Sequence, residues 1–338
     1  MFFDKETRNN CVAKGAHRRI DGAWQQLREA GFNIENHERF KDGSWQQRAA
    51  QWFNSTTLWK VFRLAEIISA EQPLTVRRCM YVGIGTLFKD SGGYDSCQRL
   101  VLQMRRAGLV PFEYITDPTR QRIKPAMWRD LADYADWVAA VYQKDLWQNQ
   151  DIVIEVFIEK EAMVGVVEPE TDGLRVSLIP ARGQCSETWC WSIAQDWNKL
   201  PKGVEVKVYY IGDHDPAGFS IETSMRARIE GYLDEGHKGC FEWVRLAVTH
   251  EDFRQRNAAG EYELLGFPVK AGISAKIRDA YIAEHGDRCV EADALSPIEI
   301  RRRVREAIER HIDREKWEAM LEIEAREKAE VRSLIARP

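Results

Sequence analysis

The sequence predicts an α/β protein whose second half is built around a mostly parallel sheet. From residue 151 onward, short apolar runs alternate with amphipathic stretches. Such alternation is typical of strands and helices that alternate along the chain and form a parallel sheet covered by helices. Residues 5–70 instead carry apolar residues at helical spacing. Residues 296–335 are charged and are also predicted to be helical, because Glu-to-Arg and Glu-to-Lys pairs recur at helical spacing. With 338 residues, the chain is long enough for two or three domains that each bury a core.

The first seventy residues are predicted to be helical. Residues 22–32 and 44–70 place tryptophans and leucines on one face of a helix, where we expect them to pack in a core. The segment "EQP" at 71–73 ends the last of these helices, because the residue before a proline disfavours helical backbone.

Residues 74–129 predict short helices followed by an extended, basic arm, which is the outline of a winged-helix module. Thr75 is a suitable N-cap for a helix that starts in "TVRRCMY". The stretch "GGYDSCQRLVLQMRRAGL" is a turn followed by an amphipathic helix that ends at Gly108. Residues 131–147 then form a connecting helix.

The charge is unevenly distributed along the chain. The formal net charge is −4, yet residues 1–130 contain 21 Lys and Arg against 14 Asp and Glu, so the remainder is acidic. This asymmetry fits either a basic front half that meets phosphates or a chance segregation of solvated charge. Between 99 and 129 the bias is local, with two acids against seven basic residues: Arg99, Arg105, Arg106, Arg120, Arg122, Lys124 and Arg129.

The predicted sheet has four or five strands. Apolar, β-branched runs mark them at 151–159, 174–180, 204–212, 241–248 and, as a further strand, 287–295. The stretches "SETWCWSIAQDW" and "GFSIETSMRARIEGYLDEG" lie between strands and are predicted to be helices covering the sheet.

Acidic residues follow two of these strands at the point where each strand ends. Asp213 and Asp215 come after "VKVYYIG", and Glu159 follows "IVIEVFI". The carboxyl ends of parallel strands meet at one edge of a sheet, so we expect the three carboxylates to converge there. Mutual repulsion favours a divalent cation between them, and oxygen ligands suit Mg²⁺. A single D-x-D is also common in ordinary loops.

Two further residues beside these acids allow two interpretations each. His214 either contacts a phosphate or faces solvent. Lys160 either contacts the DNA backbone or pairs with the acids.

Several classes of protein are disfavoured. The seven cysteines lack the spacing of a zinc site, and in a reducing compartment they are expected to be buried thiols. No apolar run reaches the length of a membrane span, and the N-terminus lacks the pattern of a signal peptide, which predicts an intracellular protein. The segment "GIGTLF" lacks the lysine of an ATP-binding P-loop.

The combined motifs "FIEKEAM", "PARGQCS" and "GDHDPAG" resemble a Toprim domain, the metal-binding fold of topoisomerases, primases and related nucleases. "GDHDPAG" is similar to the A subunit of topoisomerase VI and to the meiotic double-strand-break transesterase. That branch carries a winged-helix domain with a T-x-R-x-x-[YF]-Y motif, which "TVRRCMY" matches except at Met80. The likeness covers about residues 70–300 and extends to stand-alone A-subunit-like proteins of phages and plasmids.

The resemblance implies four regions and a chemistry. The regions are a helical segment at 1–70, a winged helix at 71–147, a Toprim domain at 148–300 and a helical extension at 301–338. Tyr81 would attack a DNA phosphodiester and form a 5′-phosphotyrosyl bond, with Arg77 stabilising charge and Glu159 moving a proton. The expected Mg²⁺ ligands are Glu159, Asp213 and Asp215. The expected DNA-binding residues are Arg78, Arg105, Arg106, Arg120, Arg122, Lys124, Lys160 and His214.

The implied partners are double-stranded DNA, a second copy of the chain and a separate ATPase (B-type) subunit. In a homodimer, the tyrosine of one copy would meet the metal site of the other. The expected location is the cytoplasm, on nucleoid DNA or in a phage-infected cell. Two other interpretations stay open, namely a Toprim nuclease that uses metal-activated water and a non-catalytic DNA-binding factor. In both, Tyr81 is an aromatic packed in its own domain.

Overall fold

The computed structural model describes residues 5–32, 42–89, 93–116, 125–183, 185–256, 262–264, 266–269 and 274–335. The chain divides into two compact units. The first comprises residues up to 117 together with Asp293–Ile298, and the second comprises Pro118–Ala292 and Glu299–Pro338.

The first unit is helical, with helices α1 (Lys5–Glu29), α2 (Gly43–Trp52), α3 (Ser55–Glu71), α4 (Val76–Gly83) and α5 (Tyr94–Arg106). Its core centres on α3, where Leu58, Phe62 and Ile68 are fully buried. The helical stretch predicted over 44–70 is divided in two, because Asn54 caps α3 by accepting a hydrogen bond from the amide of Thr57. As predicted, α3 ends before Pro73.

Helices α4 and α5 occupy the region predicted as a winged helix. Thr75 caps α4 through its hydroxyl, which accepts a hydrogen bond from the amide of Arg78, and α5 is followed by Gly108 in the left-handed region (φ 66°). In the described part of this unit, strand pairing consists of the isolated bridges Leu74–Ile115 and Ile84–Phe88. The helices therefore match the prediction, and within the described residues this unit shows no strand of a wing.

The second unit contains a four-stranded parallel sheet. Its strands are β1 (Ile152–Ile158), β2 (Ser177–Pro180), β3 (Glu205–Ile211) and β4 (Phe241–Ala247), in the order β2-β1-β3-β4. In the register, Ile158 lies between Pro180 and Ile211. The two central strands thus end side by side, and the residues that follow them lie at one edge, as the sequence predicts.

Two helices cover one face of this sheet. On that face, α8 (Glu187–Asn198) and α9 (Pro216–Gly231) pack against Val206, Val208 and Tyr210. On the other face, the hydroxyl of Tyr209 lies 2.7 Å from Nε2 of His311. The remaining helices are α6 (Leu131–Val141), α7 (Val164–Gly173), α10 (Ala275–His285), α11 (Pro297–Glu309) and α12 (Arg314–Ile335). The prediction of an α/β protein is therefore confirmed.

The prediction of a further sheet strand at 287–295 is wrong. Only β8 (Arg288–Cys289) is extended there, and it pairs antiparallel with β7 (Phe267–Pro268) rather than with the main sheet. Another short antiparallel pair joins β5 (Arg254–Arg256) and β6 (Tyr262–Leu264). The segment after β8 instead runs past the edge of the sheet, where Val290 forms a bridge with His214.

Two general expectations concern membranes and cysteines. Within the described ranges, no helix combines the length and apolar character that crossing a bilayer requires. Of the cysteines with described side chains, Cys79, Cys97, Cys185 and Cys190 are buried free thiols, and Cys240 and Cys289 are partly exposed free thiols. This matches the expectation of mostly buried thiols.

Candidate functional site

Glu159 and Asp213 meet at the carboxyl edge of the sheet. Glu159 directly follows β1, and its amide continues the ladder by donating to the carbonyl of Ile211, the last residue of β3 (2.9 Å). Its carboxylate Oε2 accepts a hydrogen bond from the backbone amide of Asp213 (2.9 Å). Both side chains are buried. Of the three acids expected to converge, the structure thus brings the Glu159 carboxylate against the backbone of Asp213.

Two further groups hold the Asp213 carboxylate. Its Oδ1 accepts a hydrogen bond from the amide of Ala292 (2.8 Å), and its Oδ2 lies 2.9 Å from Nζ of Lys160. The same ammonium lies 2.9 Å from Oε2 of Glu291. Of the two interpretations of Lys160, pairing with the acids is therefore the one that the structure shows. Glu291 is a fourth acid that the sequence analysis did not single out.

Asp215 has a clear local role as the N-cap of α9. Its Oδ1 accepts a hydrogen bond from the amide of Gly218 (2.7 Å), and Pro216 occupies the first turn of the helix. The pattern D-P-x-G after a strand is sufficient to predict this cap. The negative charge of Asp215 also reaches Glu159, because it contributes to raising the pKa of that carboxyl.

Two glycines allow the close approach of these groups. A Cβ at Gly212 would lie 2.8 Å from Oε2 of Glu159 and 2.5 Å from the ring of Tyr210. A Cβ at Gly218 would lie 2.4 Å from the carbonyl oxygen of Asp213. The glycines that bracket "DHDPA" thus make room for the carboxylate of Glu159 rather than only permitting a turn.

The environment of Glu159 and Asp213 disfavours the ionised forms of their carboxyl groups. Burial, followed by the neighbouring charge of Asp213, raises the pKa of Glu159 to about 7. Burial also raises the pKa of Asp213, although the Lys160 ammonium opposes that effect. A carboxyl that titrates near neutrality is suited to exchanging a proton with a substrate.

Arg245 supports the loop that carries Asp213, and the sequence analysis missed it. Its guanidinium pairs with Glu222 through Nε (2.9 Å) and Nη2 (2.6 Å). Nη1 donates to the carbonyls of Gly212 (3.1 Å), Asp213 (3.3 Å) and Val248 (3.0 Å). An arginine within the apolar run "FEWVRLAV" is a sequence signal of such a role, because arginine is seldom buried unless it is paired.

The residues of this site fit a divalent cation in kind. Glu159, Asp213 and Asp215 offer the hard oxygen donors that Mg²⁺ prefers. In the present arrangement, however, the Lys160 ammonium supplies the positive charge, and no group of three or more His, Cys, Asp or Glu among the described residues is placed to hold a metal. A cation that bound Oδ2 of Asp213 would have to displace the ammonium of Lys160.

His214 does not contact a phosphate or face solvent. Its side chain is 2% exposed, and Nδ1 lies 2.7 Å from the hydroxyl of Tyr281. Its ring also packs edge-on against Phe219 and His285. Burial, followed by the charge of Arg245, lowers the pKa of His214 to about 3, so the ring is neutral at physiological pH. Both interpretations drawn from the sequence are therefore wrong, because apolar packing turns this side chain inward.

Tyr81 and Arg77 lie in the first unit. They occupy α4 one turn apart, as the motif "TVRRCMY" predicts. Tyr81 is half-buried and packs against the helical core. Arg77 is also half-buried, with Cζ 5.4 Å from the centre of the Tyr94 ring.

Arg78 has a structural role rather than the predicted contact with DNA. Its side chain is buried and pairs with both carboxylate oxygens of Glu71, through Nε (2.7 Å) and Nη2 (2.8 Å). Nη1 donates to the carbonyl of Ala294. These contacts use the guanidinium within the first unit, so Arg78 is not available to a phosphate.

The other predicted DNA-binding arginines differ in exposure. Arg106 is exposed, near the end of α5. Arg105 is half-buried; it donates to the carbonyl of Phe112 (2.8 Å) and lies over the ring of that residue. The predictions for Arg120, Arg122 and Lys124 fall outside the described residues.

The fold and the site define a class, namely an α/β protein with an acidic cluster at the carboxyl edge of a parallel sheet. Comparison of the chain with protein-family models, with curated proteins and with solved structures finds no match. The family resemblance of the motifs therefore rests on the residues themselves.

The raised pKa of Glu159 predicts a pH-dependent gain in stability for Glu159→Gln. Ionising the native carboxyl between its ordinary pKa of 4.5 and about 7 costs stability, because native Glu159 holds its proton more tightly than the unfolded chain does. The glutamine keeps an acceptor for the Asp213 amide but carries no charge. Relative to wild type, we expect a gain of about 1–3 kcal/mol at pH 8 that disappears by about pH 4, measured by urea denaturation.

Glu155→Gln is a matched control within β1, the strand that Glu159 follows. Burial raises the pKa of Glu155 to about 7 as well, and its carboxylate accepts a hydrogen bond from Nε1 of Trp197 (3.1 Å). We expect the same pH signature from this variant, without any effect on cation binding at the acidic edge. A gain for Glu159→Gln that is equal at both pH values would contradict the raised pKa.

Proposed function

We propose that this chain cleaves double-stranded DNA by Mg²⁺-dependent tyrosyl transesterification. The observation that supports the proposal best is the convergence of Glu159 and Asp213 at the ends of adjacent parallel strands, with pKa values raised by burial. The motif that carries Tyr81 and Arg77 on one helix supports it independently. Both motifs resemble the same family, in the same order along the chain.

The proposed reaction exchanges one phosphodiester bond for another. The hydroxyl oxygen of Tyr81 bonds to the phosphorus and loses its proton to solvent, while the bond from phosphorus to the 3′-oxygen breaks. Glu159, with a pKa of about 7, delivers a proton to that oxygen. Arg77 stabilises charge on the phosphate. When bound, Mg²⁺ supplies positive charge beside the leaving oxygen.

The proposal extends to the partners that the resemblance implies. A second copy of the chain would donate its tyrosine to the acidic site, and two such reactions would break both strands. Strand passage would need a separate ATPase subunit. Arg106, which is exposed at the end of α5, is the described basic residue that would contact the DNA backbone.

The competing function is a nuclease in which water replaces Tyr81 as the nucleophile. The half-buried position of Tyr81 against the helical core favours that alternative. The two functions differ in whether protein stays attached to the 5′ end of the cleaved DNA. A non-catalytic DNA-binding factor would leave the DNA intact.

Tyr81→Phe therefore tests the proposal. Uniformly labelled plasmid is incubated with protein and Mg²⁺, denatured, and analysed for label that migrates with protein. We expect trapped label with wild type and none with Tyr81→Phe, because phenylalanine lacks the attacking oxygen. Tyr94→Phe is the matched control, since it removes a hydroxyl from the neighbouring helix beside Arg77 and should leave trapping unchanged.

Other outcomes identify the alternatives. Nicked DNA without attached protein, made equally well by Tyr81→Phe, would establish the nuclease. Plasmid that remains intact with wild-type protein would overturn cleavage altogether.

A further inference from the structure

Lys160 lies where the acidic site needs a positive charge. Its ammonium is 2.9 Å from Oδ2 of Asp213 and 2.9 Å from Oε2 of Glu291. The side chain of Asp213 is 9% exposed, whereas that of Lys160 is 23% exposed. The lysine thus reaches the buried carboxylate from the direction of solvent.

The ammonium of Lys160 pairs with Oδ2 of Asp213, the oxygen that a bound cation would contact. The other oxygen, Oδ1, accepts the amide of Ala292. The charge of Lys160 also favours the ionised forms of both Glu159 and Asp213, since it lowers their pKa values against the effect of burial. Among the contacts described for this edge, the Lys160 ammonium therefore stabilises the negative charge of the acids, as a bound cation would.

Glu291 gives the lysine a second place to bind. Its side chain is 26% exposed and is more accessible than that of Asp213. Lys160 can therefore leave Oδ2 while it keeps an ion pair at the rim of the site. Such a movement takes the positive charge away from Asp213, and the ammonium still has Glu291 as its ion-pair partner.

We propose that Lys160 is a resident counter-ion that competes with a divalent cation for Asp213. Cation binding then requires the ammonium to leave Oδ2, and Glu291 retains it. This inference rests on the proposed metal site but concerns its regulation. It predicts that the lysine weakens cation affinity while it stabilises the cation-free protein.

Lys207 offers a matched control in the same sheet. Its ammonium also bridges two glutamates, Glu205 (3.0 Å) and Glu242. Those residues lie toward the amino ends of β3 and β4, away from the edge that carries Asp213. Removing Lys207 deletes an equivalent ion-pair bridge without touching the acidic site.

The experiment measures Mn²⁺ binding by electron paramagnetic resonance and thermal unfolding with and without Mn²⁺. For Lys160→Met, we expect a Kd for Mn²⁺ at least tenfold lower than that of wild type. We also expect a lower Tm without the cation and a larger rise in Tm when it is added. Lys160→Gln serves as a second neutral variant if the methionine variant folds poorly, and Lys160→Arg, which keeps the charge, should bind like wild type.

Controls locate the bound ion and separate the two proposals. Lys207→Met should leave the Kd within twofold of wild type, and Asp213→Asn should abolish the binding gained by Lys160→Met. If wild type binds Mn²⁺ and both neutral variants bind it equally or more weakly, the counter-ion role is overturned while the metal site stands. If neither wild type nor the neutral variants bind Mn²⁺, the metal site itself fails, and the competition fails with it.

Discussion

Arg245→Met is expected to destabilise the second unit by about 3–5 kcal/mol, the range typical of breaking a buried ion pair by removing one partner. The side chains of Arg245 and Glu222 are 13% and 12% exposed. Methionine leaves the Glu222 carboxylate with the hydrogen bond from Nε1 of Trp243 (2.8 Å) but without its counter-charge. The carbonyls of Gly212 and Asp213 lose a donor at the same time.

A second substitution should restore part of the stability lost in Arg245→Met, because much of that loss comes from the unpaired carboxylate of Glu222. In the double variant Arg245→Met/Glu222→Gln, the neutral amide no longer carries an uncompensated charge. We expect this variant to be more stable than Arg245→Met alone, despite having one more substitution. Chemical denaturation measures both, and hydrogen exchange over residues 205–219 reports whether the loop after β3 loosens.

Arg302→Ala provides the comparison for an exposed arginine. Arg302 pairs with Glu299 and Glu306 on one face of α11, with its side chain 51% exposed. We expect a loss below about 1 kcal/mol there, because exposed ion pairs contribute little. A loss for Arg245→Met no greater than that for Arg302→Ala would contradict the supporting role of Arg245.

Gly218→Ala is expected to destabilise the second unit by about 3 kcal/mol and to weaken cation binding at the acidic edge. The added Cβ would lie 2.4 Å from the carbonyl oxygen of Asp213 and 3.2 Å from Oε2 of Glu159. The first neighbour is backbone and cannot rotate away, so the start of α9 or the loop before it must shift. The hydrogen bond from the Gly218 amide to Asp215 would be strained by the same displacement.

Gly231→Ala is the matched substitution at the other end of α9. A Cβ at Gly231 meets nothing within 4 Å. Alanine there is expected to be neutral or to stabilise by about 0.4–1 kcal/mol, since it restricts the unfolded chain. Urea denaturation of the two variants, with Mn²⁺ titration of Gly218→Ala, checks the prediction. Equal stability of both variants would contradict the prediction, because it would mean that the backbone near Gly218 accommodates the added Cβ without loss of stability.

Much of the fold follows from local signals in the sequence. The N-cap residue Thr75, the break at Pro73 and the glycine after α5 mark helix boundaries that the structure reproduces. The cap at Asp215 was not among the predictions, which assigned that residue to metal binding. The four sheet strands appear where apolar runs predict them. The misassigned strand at 287–295 shows the limit, because an apolar pattern does not reveal which neighbour a segment pairs with.

The candidate site was predictable only in part. Parallel strands end at a common edge, so the meeting of Glu159 with Asp213 follows from their places in the chain. The partners Glu291 and Arg245 do not follow from such a rule. Glu291 reaches Lys160, and Arg245 reaches the loop of Asp213, each from a segment more than thirty residues away, and no local spacing encodes that approach.

The sequence by itself determined the helices, the parallel strands and the presence of acids at the carboxyl edge, because periodicity, capping and strand order act over short distances. Only the tertiary structure decided what the charged and aromatic groups do. Arg78 and His214 turn into their units, and Lys160 pairs with Asp213. The physical reason is that a buried polar group must find its partner in space, and that partner is fixed by packing rather than by the neighbouring residues.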